Sequence, residues 1–342
     1  MASINGNSLI IKEVNKNTIR KVLKSEQKAT KQHLSELTGL STVTIGSILQ
    51  QLLETNEVFE DELIPSNGGR PSHSFCYNGN YSHVLIIYAH EDENEDKDTI
   101  YVRVINLLGE CIYKEDCILN DISLETFEPI IDKLLDIYPT IKAIGFGLPG
   151  EEFNGVLVCN DYENLTGTLF SDHYRNKYCL PVIFENDVNA AVIGYCSSHQ
   201  NEIDSNCAIV YLYFPKKYNP GAGFYINGGL YKGFRHFAGE VQNLPIEIDW
   251  NNTDYDSFDC SCEVISKLIL TITSILDPKE FVIYGSFITK KHLDNISCIC
   301  NKNLIGTDIP EIINSKNFSL DYEKGLSRST LDLLETRLSL IN

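Results

Sequence analysis

Two helix caps on either side of one tight turn constrain this chain more than any other feature. Thr30 precedes KQHLSELT and Ser41 precedes TVTIGSILQQLLE. Each is a hydroxyl residue placed to accept from the first free N–H groups of a helix, and Gly39 between them supplies the left-handed stop. Leu34 and Leu37 are expected to face inward on the first of these helices, and Ile45, Ile48, Leu49, Leu52 and Leu53 on the second. Upstream, Ile19, Val22 and Leu23 fall at i, i+3, i+4 in NKNTIRKVLKSE, with Arg20, Lys21 and Lys24 off the stripe. Three short helices, the last two joined by Thr38-Gly39-Leu40-Ser41, make a helix-turn-helix. The following VFEDELIPSNGGRP suits a hairpin wing and a linker, with Pro71 pinning the exit.

Charge sets the same segment apart. The first fifty residues carry seven basic groups against three acids, while the whole chain has a formal charge of −19. A basic head on an acidic body excludes wholesale coating of nucleic acid but suits one small DNA-reading module. A helix-turn-helix lays its second helix in the major groove, so Ser41, Thr42, Thr44 and Ser47 are the candidates for base edges. Their hydroxyls and methyls discriminate less than Arg or Asn pairs do. The basic groups of the first helix, and Lys31, are expected on phosphates. Arg70, thin and cationic between glycines and a proline, fits a minor groove. The alternatives are a three-helix module used only for dimerisation or protein contact and, for residues 68–71, a plain interdomain turn.

The 342 residues leave room for two further domains. At 43% apolar and 22% charged residues the chain is no disordered polymer. It has neither a run of ~20 apolar residues nor a secretion signal, and a cytoplasmic protein is expected. Its eleven cysteines, an odd and scattered count, read as reduced thiols that are mostly small buried hydrophobes. Strands are expected at 84–88, 99–106, 110–113, 142–147, 181–187, 207–214, 223–227 and 280–286, and helices at 124–138, 188–196 and 262–276. Repeated βα units after an antiparallel opening argue for two α/β lobes rather than a barrel. The expected division is a head at 1–72, a first lobe at 73–190 rejoined by 325–342, and a second lobe at 191–324.

FENDVNAA (184–191) sits where a buried strand meets a helix, the usual ligand crevice of α/β domains. There Asp187 suits a general base for a hydroxyl and Asn186 a polyol contact; alternatively, Asp187 or Asn189 caps the helix. Glu240, in FAGE, offers a second carboxylate. A nucleotide site needs glycine-rich turns or a helix N-terminus around phosphates. The first strand instead runs into Ala89-His90-Glu91-Asp92-Glu93, and six acids and one Lys lie between Glu91 and Asp98. Gly221-Ala222-Gly223 is the best glycine pair and is weak alone, so no cofactor is expected. Cys260 and Cys262 are thiolate-capable, but zinc wants about four ligands, so no metal is expected either. Cys298 and Cys300 are expected on one face of a short segment.

Head and body together resemble the ROK family of repressors and sugar kinases, in particular its repressor branch. The resemblance rests on the winged helix-turn-helix, GGRP (68–71), AIGFGLPG (143–150) with Gly155, Asn164-Leu165, LPVIFENDVNAA (180–191), GGLYKGFRHFAGE (228–240) and DPKEFVIYGSFI (277–288), in that order. It implies a two-lobed, actin-like sugar kinase (ribonuclease H-like) body around a sugar cleft. Asn186, Asp187, Glu240 and Asn243 would then be ligand-binding. Asp187 would hold the kinase-base position, with a non-catalytic role expected. Family kinases carry Asp-Ile-Gly-Gly-Thr after the first strand, where this chain has Tyr88-Ala89-His90-Glu91-Asp92. The glycine-rich second phosphate loop reads Tyr218-Asn219-Pro220-Gly221-Ala222-Gly223, and the adenine-side glycine pair reads Tyr284-Gly285. Asn243 stands where the family zinc site has His, and Cys260-Ser261-Cys262 runs straight into a helix.

The expectation is a DNA-binding repressor of carbohydrate-utilisation genes, relieved by a sugar or phosphosugar effector. It would bind operator DNA as a homodimer or larger homo-oligomer, with no kinase activity and no membrane partner. A regulator whose body serves only dimerisation or protein docking is the alternative, and an ATP-dependent sugar kinase a lesser one.

Overall fold

The computed structural model describes residues 3–64, 72–90, 99–118, 122–158, 162–200, 202–204, 206–216, 218–250, 253–304 and 308–335. The head consists of α1 (Ser3–Glu26), β1 (Lys28–Thr30), α2 (Lys31–Thr38), α3 (Thr42–Glu54), β2 (Val58–Ile64) and β3 (Ser72–Tyr77). Thr30 accepts from the His33 amide, Gly39 ends α2 at φ +69°, and Ser41 accepts from the Thr44 amide. Ile19, Leu23, Leu34, Ile45, Leu49 and Leu52 are buried together. Leu37 departs from expectation and is half-exposed, because two-turn α2 buries only Leu34. β3 lies between β1 and β2 and is antiparallel to both. The segment from Ser72 therefore belongs to the wing, with Phe75 and Tyr77 in the head core, and the head extends through Tyr77 rather than stopping at 72.

The first body sheet contains β4 (His83–His90), β5 (Thr99–Asn106), β6 (Cys111–Ile118), β7 (Ile141–Gly147) and β10 (Val182–Glu185). Between the last two lie the hairpin β8 (Glu151–Phe153) and β9 (Val156–Val158). Its order is β10-β7-β4-β5-β6: β4, β7 and β10 run parallel, and β5 and β6 extend the sheet antiparallel. Helices α4 (Glu128–Ile137) and α5 (Phe170–Tyr178) contribute Ile131, Leu134, Phe170 and Tyr174 to its core, and α6 (Asp187–Ser198) follows β10. The second sheet contains β11 (Ala208–Tyr213), β12 (Gly221–Ile226), β13 (Gly229–Leu230), β14 (Glu280–Tyr284) and β15 (Glu311–Asn314), ordered β13-β12-β11-β14-β15. Both sheets thus place their first strand centrally, with the second and third on one side and the fourth and fifth on the other. Helices α7 (Phe258–Leu276) and α8 (Lys290–Asn303) serve the second lobe, and α9 (Phe318–Asp332) follows it.

α9 returns to the first lobe. With α6 it lies between the sheets, and Ile86 and Tyr88 of β4, Val192 of α6, Tyr211 of β11 and Phe318, Tyr322 and Leu326 of α9 share one core. A boundary at residue 190 would divide α6, which packs on α9 and on β11 and β12 of the second sheet, and the returning segment starts at Phe318 rather than 325. The glycines of AIGFG explain the fit: a Cβ on Gly147 would lie 2.5 Å from the Tyr322 hydroxyl oxygen, and one on Gly145 would collide with Thr330. Among the described residues, two contacts tie the head to the body most directly. Leu107 and Leu108, at the β5–β6 turn, pack on the head core, and Lys24 Nζ lies 3.5 Å from Glu335 Oε1 just beyond α9. No helix among the described residues is long and apolar enough to cross a membrane.

Candidate functional site

The start of α3 presents the side chains read as base contacts. Ser41, Thr42 and Ser47 are exposed, Thr44 is half-buried, and Val43, not singled out from sequence, is 81% exposed. Ser41 Oγ accepts the Thr44 amide at 3.1 Å and lies 2.9 Å from Thr44 Oγ1, so Ser41 and Thr44 also build the helix end. Lys31 is exposed, with its ammonium 5.4 Å from the centre of the Phe75 ring. Arg70 lies outside the described residues. Of the basic groups of α1, Lys12 and Lys21 are exposed, whereas Arg20 and Lys24 face acids of the protein itself. Arg20 is locked to buried Glu57 through two bonds of 2.7 and 2.9 Å and to Glu13 at 3.1 Å. Lys21 and Lys24 line the hollow between head and body, where Lys24 meets Glu335. Arg20 and Lys24 thus stabilise the head and its seating, a role that sequence spacing alone does not distinguish.

In the body, β10 ends at Glu185 and α6 begins at Asp187, with Asn186 as its cap. Asn186 Oδ1 accepts from the amides of Val188 and Asn189 at 2.9 and 3.2 Å, while its Nδ2 donates to the Gly150 carbonyl at 3.3 Å. The capping residue is therefore Asn186, one position before the sequence alternative of Asp187 and three before Asn189. Asp187 Oδ1 accepts the Val188 amide at 2.9 Å. Glu240 caps, and Asn243 ends, a single turn of 3-10 helix in the second lobe. Both line an apolar groove of about 310 Å³ against α7, walled by Phe224, Tyr231, Phe237 and Ile272.

A different set of side chains joins the lobes here. Lys232, beyond β13, places its ammonium 2.6 Å from Glu185 Oε1, and His236 Nδ1 lies 2.8 Å from the Glu152 carbonyl oxygen. Glu151, on β8, accepts from Asn189 Nδ2 at 2.6 Å. Burial pushes the Glu151 carboxyl up to about 8, with Lys232 opposing the rise and Glu185 and Glu240 adding to it. Glu185 is raised by deeper burial, and Lys232 is raised because its two carboxylate neighbours outweigh its own desolvation. Sequence reasoning missed Glu151, Glu185 and Lys232. The available signal was the acid that ends the strand of FENDV, the acid pair that follows Leu148-Pro149-Gly150, and a lone Lys within GGLYKGF.

Aromatic rings occupy the region where β4, β11, β14 and α9 converge. Tyr88 and His90 each stack on Tyr101 at 4.9 and 4.8 Å, and Tyr213 stacks on Phe318 at 3.9 Å, with Tyr284 5.8 Å from the same ring. Tyr88 donates to Glu323 at 2.6 Å, and Arg103 holds the same carboxylate at 2.9 Å. The glycines at the second phosphate-loop position serve packing: a Cβ on Gly223 would lie 2.7 Å from the Val188 carbonyl oxygen, so β12 rides directly on α6. Among the described residues no three His, Cys, Asp or Glu side chains are grouped to hold a metal. Cys260 and Cys262 both lie within α7. Cys298 is exposed and Cys300 buried, because positions two apart on α8 point to different sides, not one.

No protein-family model matches the chain. It is 24% identical over 309 residues to the xylose repressor of Bacillus spizizenii, covering 84% of this chain and 75% of that protein. To the xylose repressor of Bacillus subtilis it is 24% identical over 306 residues, with the same coverages. Among solved structures, it superposes with a TM-score of 0.66 and 14% identity on a ROK-family transcriptional regulator, a homologue of the E. coli MLC protein. That match covers 94% of this chain and 97% of the other. A ROK hexokinase from Thermus thermophilus gives a TM-score of 0.59 and 14% identity, covering 74% of this chain and 99% of the enzyme. The fold is therefore the winged helix-turn-helix joined to a two-lobed sugar-kinase body.

Proposed function

We infer that the chain belongs to the ROK family, and propose that it is a DNA-binding transcriptional regulator of carbohydrate-utilisation genes. The observation that carries this reading is the capped, solvent-facing start of α3, with Ser41, Thr42 and Ser47 exposed on a winged head. In the proposed action the head reads operator DNA, two copies of the chain present two heads to a palindrome, and a sugar or sugar derivative relieves repression. Asp187 and Glu240 are the carboxylates proposed for hydroxyls, with Asn243 beside Glu240. Asn186 contributes mainly by holding the start of α6.

The rings of Tyr88, Tyr101, Tyr213, Tyr284 and Phe318, with no glycine loop after β4, speak against phosphoryl transfer. The second reading, a body used only for dimerisation or docking, draws on one observation: Lys232 already answers the buried acid at the cleft.

The test is selection of duplexes from a random library by the full chain, followed by fluorescence anisotropy on the selected and a scrambled duplex, with and without a panel of pentoses, hexoses, amino sugars and their phosphates. Sequence-selective binding that one sugar class weakens supports the regulator. Selective binding that no sugar changes favours the scaffold, and absence of selective binding refutes both.

A further inference from the structure

The segment after β13 crosses from the second lobe to the first and is held there by charge. Lys232 Nζ lies 2.6 Å from Glu185 Oε1 and 3.8 Å from Glu151 Oε2, and His236 Nδ1 lies 3.8 Å from that same Glu151 oxygen. Glu185 is almost wholly buried, with 4% of its side chain exposed. One ammonium therefore faces two buried carboxyls, and Glu240 from the second lobe adds to the negative potential at Glu151. If both carboxyls were ionised, one buried charge would stand uncompensated, which proteins tolerate poorly.

The local hydrogen bonding points to the resolution. Asn189 Nδ2 donates to Glu151 Oε1 at 2.6 Å. The atoms of that same pair left buried without a hydrogen-bond partner are Glu151 Oε2 and Asn189 Oδ1. Both are acceptors while Glu151 is ionised. A proton on Oε2 makes one of them a donor, and a carboxylic acid facing a primary amide then closes a ring of two hydrogen bonds.

We propose that Glu151 is a neutral acid paired with Asn189, and that this pair, with Lys232 and His236 above it, forms a proton-dependent latch holding residues 231–240 of the second lobe against the first. The elevated affinity of Glu151 for its proton supports this, and it fixes the sign. A carboxyl that binds its proton more tightly under the segment than in water favours release of the segment when the proton leaves. The latch is firm near pH 6.5 and slackens as Glu151 ionises around about pH 8. The groups facing Glu151 are Glu185 and Asn189 from the first lobe and Lys232, His236 and Glu240 from the second. The latch stands apart from the effector reading, because it needs no ligand.

Hydrogen exchange of peptides within 229–241, corrected for the intrinsic rate, tests it between pH 6.5 and 9.5 on the full chain. Wild-type protection should fall tenfold or more. Glu151→Gln, whose amide can give Nε2–H to Asn189 Oδ1 and accept at Oε1, should stay protected throughout. Lys232→Met should be unprotected at every pH. A pH dependence that persists in Glu151→Gln, or that wild type lacks, overturns the latch. Carbon-13 NMR of labelled Glu carboxyls gives an answer even if the variants do not fold. One wild-type resonance should titrate above pH 7, and a spectrum in which every Glu titrates below pH 6 overturns the proposal.

Discussion

Gly194 of α6 and Gly325 of α9 face each other at the crossing of their helices. A Cβ on either would lie 2.8 Å from the other's backbone nitrogen, with the Asp321 and Ala190 carbonyl oxygens closer still. The obstacle is backbone, which cannot step aside as a flexible side chain does. Gly325→Ala should therefore cost ~3 kcal/mol or more by overpacking. Gly46→Ala, in the middle of α3 with only Lys31 Nζ 4.0 Å away, should instead gain about 0.5–1 kcal/mol from helix propensity. Urea denaturation followed by circular dichroism checks both signs.

Arg20 and Glu57 predict a separation of stability from DNA contact. Glu57 is 5% exposed and its carboxylate is held twice by Arg20. Arg20→Met strands that charge, and a loss of about 3–5 kcal/mol is expected of a broken buried pair. The salt dependence of DNA binding by the folded variant should keep its slope, since Arg20 faces Glu57 rather than a phosphate. A slope reduced by about one would return Arg20 to the DNA surface.

For the recognition helix, Thr42→Ala and Ser47→Ala should each weaken binding to a selected duplex by ~1–3 kcal/mol and leave scrambled DNA nearly unaffected. Ser41→Ala should lower head stability as well, by about 1 kcal/mol, because its Oγ caps α3. Equal losses on both duplexes, in anisotropy at fixed salt, would remove the base-reading role.

Glu151 also predicts a pH profile of stability. Its carboxyl is raised from 4.5 to about 8 in the folded chain, so the folded state holds a proton that the unfolded state has released. That contribution is fully present below about pH 4.5, declines as pH rises, and is gone above about pH 8. Between pH 6 and 9 wild type should lose more stability than Glu151→Gln, by more than about 1 kcal/mol, the worth of one pK unit. Parallel denaturation profiles for the two proteins would show that Glu151 is ionised throughout.

Much of this was legible from local pattern. Thr30, Gly39 and Ser41 declare the head because caps and left-handed turns act within a few residues, and β5 was read to its ends from the run TIYVRVIN. Long-range partnership was not legible. The division at residue 72 assigns nearly all of β3 to the first lobe, because its partners, Lys28–Thr30 and Val58–Ile64, pair with it across the fold. α9 was missed as a unit, although Gly145, Gly147 and Gly194 all lack side chains in order to admit it. The site behaved likewise. Asn186 and Asp187 were visible as a strand-to-helix junction, whereas Lys232 meets Glu185 only because the second lobe folds back over the first.

The two contacts that tie the head to the body have a mechanical consequence. A domain hung on one flexible strap can take any orientation, like a ball on a string. Here β3 leads into the body beside Leu107 and Leu108, while Lys24 of α1 pairs with Glu335 just past α9. A second contact removes part of that freedom. Because Glu335 lies just beyond the helix wedged between the lobes, a shift of α9 would carry one of the head's own contacts with it.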